Sequence, residues 1–151
     1  MTELTRRHLL GLGAGAMVIS TLSIPFSALA DTSKAKEAIM AFTGGKTPKE
    51  GLVTVDMPEI AENGNTVPVG VSVDSPMTKD NYVKSILVLA DGNPTPGVAT
   101  FHFSPASGAA EASSRMRLAK TQNVIAVAAM SDGSFHSAQT TVKVTIGGCG
   151  G

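Results

Sequence analysis

Apolar and polar positions alternate strictly in the stretch TVPVGVSVD, whose valines at 67, 69, 71 and 73 fall on one face. Because successive side chains of a β-strand point to opposite sides, this pattern predicts a strand with one buried face. Comparable stretches recur at short intervals along the chain. Together they predict seven strands: Leu52–Met57, Val67–Val73, Val83–Ala90, Val98–Phe103, Ala112–Ala119, Val124–Met130 and Phe135–Ile146.

Residues that favour turns separate the predicted strands, as in Asn63-Gly64-Asn65, Asp91-Gly92-Asn93, Ser107-Gly108 and Asp132-Gly133. The last pair is a strong hairpin signal, because both residue types tolerate a positive φ. Short strands joined by tight turns, without crossover helices between them, predict an all-β fold. We expect an immunoglobulin-like antiparallel β-sandwich of about seven strands over residues 46–146.

The strand VKSILVLA is apolar on both faces, although the outer face of a sandwich sheet normally meets solvent. A cover for that face is therefore expected, and it is either an N-terminal helix or a partner subunit. A short helix is predicted over residues 31–45, where apolar residues repeat at helical spacing. Thr32 or Ser33 would cap its start, and Gly44-Gly45 would end it.

Residues 1–30 have the order of a signal peptide, with Arg6 and Arg7 before an apolar run and small residues up to Ala30. The paired arginines in TRRHLLGLG resemble the twin-arginine export motif, and glycines dilute the apolar run as in that class. We predict a twin-arginine-type signal peptide over residues 1–30, cleaved near Ala30, and a periplasmic mature protein with no membrane segment. An uncleaved anchor and an ordinary secretory signal remain the alternatives.

Composition excludes several classes of function. With 151 residues, 42% of them hydrophobic, the chain is long enough for one packed domain. Its 12 basic and 12 acidic residues balance, and only 4% of its residues are aromatic. A nucleic-acid-binding protein normally has a basic surface or a set of stacking aromatic residues. We therefore expect no nucleic acid among the partners.

Cys149 is the only cysteine in the sequence, and it stands between two pairs of glycines. Exported domains normally use cysteines in pairs, so an unpaired one indicates a reactive thiol or an intermolecular bond. Because glycine lacks a Cβ, the backbone of a glycine-rich segment can enter a narrow channel in another protein. Residues 147–151 are thus predicted to form a flexible arm with an exposed thiol; its glycines are Gly147, Gly148, Gly150 and Gly151.

A reactive thiol is usually activated by a nearby cation, which lowers its pKa. No Lys, Arg or His lies within five residues of Cys149, and Lys143 is the nearest cation in the sequence. The chemistry at this thiol is therefore expected to come from another protein's active site. This predicts a carrier without catalytic residues of its own, and not an enzyme.

Other polar residues give weaker signals. His102 and His136 have no His or Cys partner at ligand spacing, so we interpret them as surface or structural residues and predict no metal site. Arg115 and Arg117 share one face of a predicted strand and would suit an anionic surface, although such a pair is more often only solvated.

Four segments together resemble a known family: the twin-arginine leader, NPTPGVATFHFSP, RMRLAKTQNVIAVAAMSDGS and the terminal VKVTIGGCGG. The chain resembles the SoxY family, the sulfur-carrying subunits of the periplasmic thiosulfate-oxidising Sox system. The terminal motif is the most specific of the four and matches residue by residue from Gly147 to Gly151. The resemblance implies an immunoglobulin-like sandwich that forms a heterodimer with a SoxZ-like subunit.

The resemblance also implies how Cys149 is used. A c-type cytochrome enzyme would conjugate thiosulfate to the thiol as an S-thiosulfonate. A manganese-dependent hydrolase would release sulfate, and a sulfur dehydrogenase would oxidise the remaining sulfane sulfur where that enzyme is present. Cys149 would be the covalent attachment point throughout, and no cofactor would be tightly bound.

Two other uses of the terminal segment remain open. The thiol of Cys149 would suit a structural disulfide between two chains, which is common in exported proteins. A terminal Gly-Gly also resembles ubiquitin-like sulfur carriers, which form a thiocarboxylate, here on Gly151; the export leader argues against that reading. Prenylation is excluded, because it needs a cysteine fourth from the end and Cys149 is third.

Overall fold

The computed structural model describes residues 26–148, with side chains from residue 32 onwards. Within this range the chain forms one α-helix, one short 3-10 helix and nine strands. In chain order these are α1 Phe26–Thr43, β1 Lys49–Glu50, β2 Val53–Asp56, β3 Ile60–Asn63, β4 Val67–Val73, β5 Val83–Ala90, β6 Gly97–His102, the 3-10 helix Pro105–Ser107, β7 Ala110–Met116, β8 Gln122–Met130 and β9 Phe135–Ile146. The predicted all-β class is confirmed.

The strands form two sheets that pack face to face. The larger sheet has the order β1-β9-β8-β5-β6, with β3 also paired to β9, and the smaller has the order β2-β4-β7. Neighbours pair antiparallel, except that β1 and β3 both run parallel to β9. The predicted immunoglobulin-like sandwich is thus confirmed, and the two parallel pairings are a feature that the sequence did not predict.

The core lies between the sheets and follows the predicted alternation. In β4 the valines at 67, 69, 71 and 73 are buried, and the residues between them are exposed or half-buried. Ile86 and Val88 of β5 and Val124 of β8 face these valines from the larger sheet and are fully buried. Burial of each such side chain stabilises the fold by about 1.5–3 kcal/mol before conformational entropy is subtracted.

The predicted strands all exist, but several bounds differ. Val83–Ala90 and Phe135–Ile146 are found as predicted. The strand predicted over Ala112–Ala119 instead covers Ala110–Met116, so Leu118 and Ala119 lie in the connection to β8. Ile146 alternates with Val142 and Val144, a pattern that predicts a buried side chain, but it is 65% exposed because it is the last residue of β9.

The helix is longer at its start than the sequence predicted. It begins at Phe26, so Thr32 and Ser33 lie inside it and are not its caps. It ends at Thr43, before Gly44 and Gly45, which both have a positive φ. The N–H of Gly45 donates to the carbonyl of Met40 at 2.9 Å, which is the hydrogen bond of a Schellman-type helix end.

The helix covers the outer face of the larger sheet. Leu89 of β5 and Val127 of β8 are fully buried, yet they are not part of the core between the sheets. The described part of α1 contacts β5, and its Ala35 is 1% exposed. Of the two covers that the sequence left open for the strand VKSILVLA, the structure therefore shows the helix on this face.

The predicted signal peptide falls mostly outside the described residues. Arg6 and Arg7 belong to that part, and helix α1 includes the predicted cleavage position after Ala30. Across residues 26–148, no helix combines the length and the apolar character that a membrane crossing requires.

Candidate functional site

The candidate site is the segment in which β9 continues into the glycine-rich terminal motif. Cys149, Gly150 and Gly151 lie outside the described residues, whereas Gly147 and Gly148 lie within them. The structure therefore describes the chain up to the residue before the cysteine. We call the contacting residues Gly64, Leu118, Ala119, Gly147 and Gly148 the tail base.

Three backbone segments meet at the tail base. The N–H of Gly64 donates to the carbonyl of Ile146 at 2.7 Å, which extends the pairing between β3 and β9. The N–H of Leu118 donates to the carbonyl of Gly64 at 2.8 Å, and the N–H of Gly148 donates to the carbonyl of Leu118 at 2.9 Å. These hydrogen bonds join the turn after β3, the connection before β8 and the chain after β9.

The segments approach so closely that glycine is required. A Cβ at Gly64 would clash with the carbonyl oxygen of Leu118 and would lie 2.7 Å from the nitrogen of Gly148. A Cβ at Gly148 would lie 2.6 Å from the carbonyl oxygen of Gly64, and one at Gly147 would clash with that of Ala119. Backbone cannot move aside as the end of a long side chain can, so a methyl group at any of these positions forces the segments apart.

This geometry corrects the predicted start of the flexible arm. The sequence predicted free movement from Gly147 onwards, because glycine is the most flexible residue. In the structure Gly147 is fitted against Ala119, and Gly148 is buried and hydrogen-bonded to Leu118. These two glycines serve close packing, and the other three residues of the predicted arm, Cys149, Gly150 and Gly151, lie outside the described residues.

A buried amide pair supports the connection between β7 and β8. The Asn93 side chain is 2% exposed, donates to the carbonyl of Arg117 at 2.9 Å and accepts from the N–H of Ala119 at 3.0 Å. It therefore binds the backbone on both sides of Leu118. The Gln122 amide donates to the Asn93 side chain at 2.8 Å and accepts from the N–H of Gly92 at 2.8 Å.

No local sequence pattern indicates a functional role for Gly64, Asn93 or Gln122. Gly64 and Asn93 belong to predicted turns, and Gln122 lies outside the predicted strands. Their roles depend on segments that are distant in the chain, so local patterns carry no signal for them. A polar residue that begins an apolar run, as Gln122 begins QNVIAVAAM, is the one available hint of a buried hydrogen-bonding partner.

The weaker candidates do not gather into a second site. Among residues 26–148, no group of three or more His, Cys, Asp or Glu side chains is placed to hold a metal ion. His102 is exposed in β6, and His136 lies half-buried in β9. Arg115 and Arg117 are exposed and border a shallow surface groove of about 280 Å³.

Comparison with known proteins decides the family. The family model described as sulfur oxidation protein SoxY matches residues 39–149. The chain belongs to the SoxY family. The matched range starts inside α1 and includes the sandwich, the tail base and Cys149, so this SoxY model covers the candidate site. The resemblance predicted from the sequence is thereby confirmed.

A solved SoxY structure has the same fold. The structure of the sulfur carrier protein SoxY from Chlorobium limicola f thiosulfatophilum is 36% identical to this chain, with a TM-score of 0.66. The similarity covers 79% of this chain and 99% of that one. A comparison with curated proteins finds no significant match.

Superoxide reductases share the fold with this SoxY-family chain. The superoxide reductase (neelaredoxin) from Ignicoccus hospitalis is 18% identical, with a TM-score of 0.56, and the similarity covers 62% of this chain and 80% of that one. A putative superoxide reductase from Thermotoga maritima is also 18% identical, with a TM-score of 0.53 and coverages of 68% and 89%. At this identity the similarity shows the fold and nothing about activity.

Proposed function

We propose that this chain is the sulfur carrier of a thiosulfate-oxidising system, with Cys149 as the covalent attachment point. The observation that carries the proposal is the match to the SoxY family over residues 39–149, which reaches the only cysteine of the chain. Similarity to a SoxY described as a sulfur carrier protein supports it further. The chain acts as a carrier and not as an enzyme.

The proposed chemistry begins with loading of the thiol. The Cys149 sulfur forms an S–S bond with the sulfane sulfur of thiosulfate, the thiol proton is released, and an electron pair passes to a c-type cytochrome enzyme. The product is a cysteine S-thiosulfonate. An external electron acceptor is needed because both sulfur atoms that join were reduced before the step.

Hydrolysis then releases the bound sulfur from Cys149 as sulfate, one sulfur atom at a time. Water cleaves the bond to the terminal sulfonate, sulfate leaves, and the sulfane sulfur stays on Cys149; we assign this step to a manganese-dependent hydrolase. Where a sulfur dehydrogenase is present, oxygen atoms from water are added to the sulfane sulfur, the protons of that water are released, and the electrons pass to the dehydrogenase. The product is a Cys149 S-sulfonate; water then cleaves its S–S bond, a second sulfate leaves, and the thiol is regenerated. The chain itself supplies the attachment atom and its position.

The proposed setting is the periplasm. A twin-arginine-type signal peptide over residues 1–30, with Arg6 and Arg7, exports the folded chain together with a SoxZ-like subunit that forms the heterodimer. Contacts with the cytochrome, the hydrolase and the dehydrogenase are transient, because a carrier that must leave each active site cannot bind any of them tightly.

The mass of the exported chain tests the proposal. We expect the purified protein, after exposure to thiosulfate and the partner enzymes, to carry a sulfane or thiosulfonate adduct that disappears on reduction. Cys149→Ser should fold, be exported and carry no adduct, and thiosulfate oxidation should be abolished. Thr100→Ser, an equally small change at an exposed position of β6, is the control and should load normally.

Three outcomes contradict the proposal. A reducible mass of two chains, without adducts on the single chain, indicates that Cys149 forms a structural intermolecular disulfide. A modification on Gly151 indicates a thiocarboxylate carrier. Normal thiosulfate oxidation by Cys149→Ser shows that the thiol is not the attachment point.

A further inference from the structure

The tail base places backbone contacts immediately before Cys149. Gly148 precedes the cysteine, is buried, and donates its N–H to Leu118. Consecutive Cα atoms are about 3.8 Å apart, so a cysteine that follows a fixed Gly148 starts within one residue of the domain surface. A five-residue arm free from Gly147 would instead reach about 17 Å. The contacts of Gly148 therefore decide how far the thiol extends.

Gly64 is the central residue of these contacts. It donates to Ile146 and accepts from Leu118, and Leu118 in turn accepts from Gly148, so the hydrogen bonds form a continuous chain. An added Cβ at Gly64 would be in conflict with Leu118 and with Gly148 at once. Gly64 does not have the positive φ that would explain a glycine by conformation alone. Close approach of the terminal segment is thus the physical reason for glycine at this position.

Asn93 fixes the other side of the tail base. Its side chain binds the carbonyl of Arg117 and the N–H of Ala119, so the peptide groups of Leu118 between them keep one orientation. Buried amides of this kind hold a connection in place because an unpaired buried polar group is costly. Gln122 holds the Asn93 amide in turn through its own amide group.

We propose that Gly64 and Asn93 are positioning residues for the sulfur attachment point: they hold Gly148, the residue before Cys149, on the domain. The proposal rests on the proposed function only in taking the Cys149 thiol as the atom that carries sulfur. The geometry concerns Gly64, Asn93, Leu118 and Gly148, whatever the thiol carries.

Gly64→Ala tests the proposal from the domain side. We expect the amide of Gly148 to be protected from hydrogen exchange in the unmodified protein and to lose about tenfold or more of that protection in the variant. A nitroxide attached to Cys149 should give a broader electron paramagnetic resonance spectrum in the unmodified protein and a sharper one in the variant. Gly97→Ala is the matched control, because a Cβ there meets no atom within 4 Å.

Gly148→Pro tests it from the terminal side. Proline removes the N–H that donates to Leu118, and the substitution lies after the last strand, so the sandwich keeps its own hydrogen bonds. The nitroxide spectrum should sharpen as in Gly64→Ala, while the thermal unfolding midpoint stays near that of the unmodified protein. This variant keeps the proposal testable if Gly64→Ala does not fold.

Asn93→Ala tests the side-chain hydrogen bonds that hold the backbone on both sides of Leu118. Asn81→Ala, at an exposed position, is its control. We expect Asn93→Ala to sharpen the nitroxide spectrum at temperatures where the domain is still folded. A residue with only a structural role would lower the unfolding midpoint and leave the label unchanged below it. Asn81→Ala should change neither.

Identical label spectra in the unmodified protein, Gly64→Ala and Gly148→Pro would overturn the proposal, as would an unprotected Gly148 amide in the unmodified protein. These measurements need no sulfur cargo. If Cys149 proves not to carry sulfur while the label and exchange results are as expected, the function is wrong and the positioning is right. If Cys149 carries sulfur but the label spectra of the variants do not differ from that of the unmodified protein, the proposed function is right and the positioning is wrong.

Discussion

Glycine has two different roles in this chain, and backbone geometry separates them. At Gly44 and Gly133 the chain adopts a positive φ, which side chains disfavour, and each lies in a turn. At Gly64 and Gly148 the φ is not positive, and the requirement is space between backbone segments. The sequence shows the same letter in both cases. Turn glycines could be predicted from their neighbours, whereas packing glycines needed the fold.

The turn between β8 and β9 contains a carboxylate with a perturbed pKa. The hydroxyl of Ser134 and then its backbone N–H, which lies 2.8 Å from Oδ1, hold the pKa of Asp132 below its ordinary value. Ser134→Ala removes the first cause and keeps the second. We expect the Asp132 pKa to rise part of the way towards its ordinary value, measured by carboxyl carbon shifts in an NMR titration.

The direction of this pKa shift determines how Asp132 makes the stability of the fold depend on pH. A carboxyl whose pKa is lower in the folded state stabilises the fold above its unfolded pKa, and that contribution is lost as the pH falls through the folded value. Because Asp132 is exposed, solvent screens the effect and it should be small. Ser114→Ala, exposed in β7, is the control and should leave the Asp132 titration unchanged. An unaltered pKa in Ser134→Ala would contradict the assigned cause.

Among the secondary structure elements, seven strands could be predicted, whereas β1 and β3 could not. β4 alternates over all seven of its residues, and the end of β9 alternates from Val142 to Ile146, so one period is visible. β1 and β3 have two and four residues and show no such period. β1 pairs parallel with the start of β9 and β3 with its end. Local sequence patterns do not predict such pairing between distant segments.

Helix α1 covers the outer face of the larger sheet, and its end also contacts the β8–β9 hairpin. The rings of Phe42 and Phe135 contact edge to face, with centroids 6.1 Å apart. The ammonium of Lys46 lies 5.8 Å from the centre of the Phe135 ring and donates to the carbonyl of Gly133 at 3.1 Å. These contacts fix the end of the helix against the hairpin. The sequence predicted a helix and a possible cover, but not this point of attachment.

Removal of one ring should loosen the helix from the sheet. For Phe42→Ala we expect a loss of about 1–2 kcal/mol in the free energy of unfolding, because a half-buried ring and its aromatic contact are removed. Amides in the second half of α1 should exchange faster, while those in β8 keep their protection. Urea unfolding and hydrogen exchange measure the two effects.

Met40→Ala is the control for that variant, since Met40 lies on the same helix and is 62% exposed. Its effect on the free energy of unfolding should stay within about 0.5 kcal/mol. Equal losses in Phe42→Ala and Met40→Ala would show that the contact with Phe135 does not explain the change, because alanine has the higher helix propensity in both variants.

For the whole molecule, burial between the sheets must supply the stability. The sequence has one cysteine, so no disulfide can close within the chain. That cysteine follows the last strand, which separates the proposed attachment point from the elements that stabilise the domain. Changes of state at the thiol should therefore leave the fold intact, which suits a carrier whose cargo alters at each step.

This separation gives a prediction for unfolding. Ile86→Ala removes a fully buried side chain from the core between the sheets, and we expect a loss of about 2–5 kcal/mol in the free energy of unfolding. Ile60→Ala is the matched control, because Ile60 is 58% exposed and its loss should stay within about 0.5 kcal/mol. Urea unfolding of both variants and of the unmodified protein should give the same midpoints with and without a reductant, since no bond to sulfur spans the core. A midpoint that falls on reduction, and that depends on protein concentration only after reduction, would instead assign the cysteine a structural role between two chains.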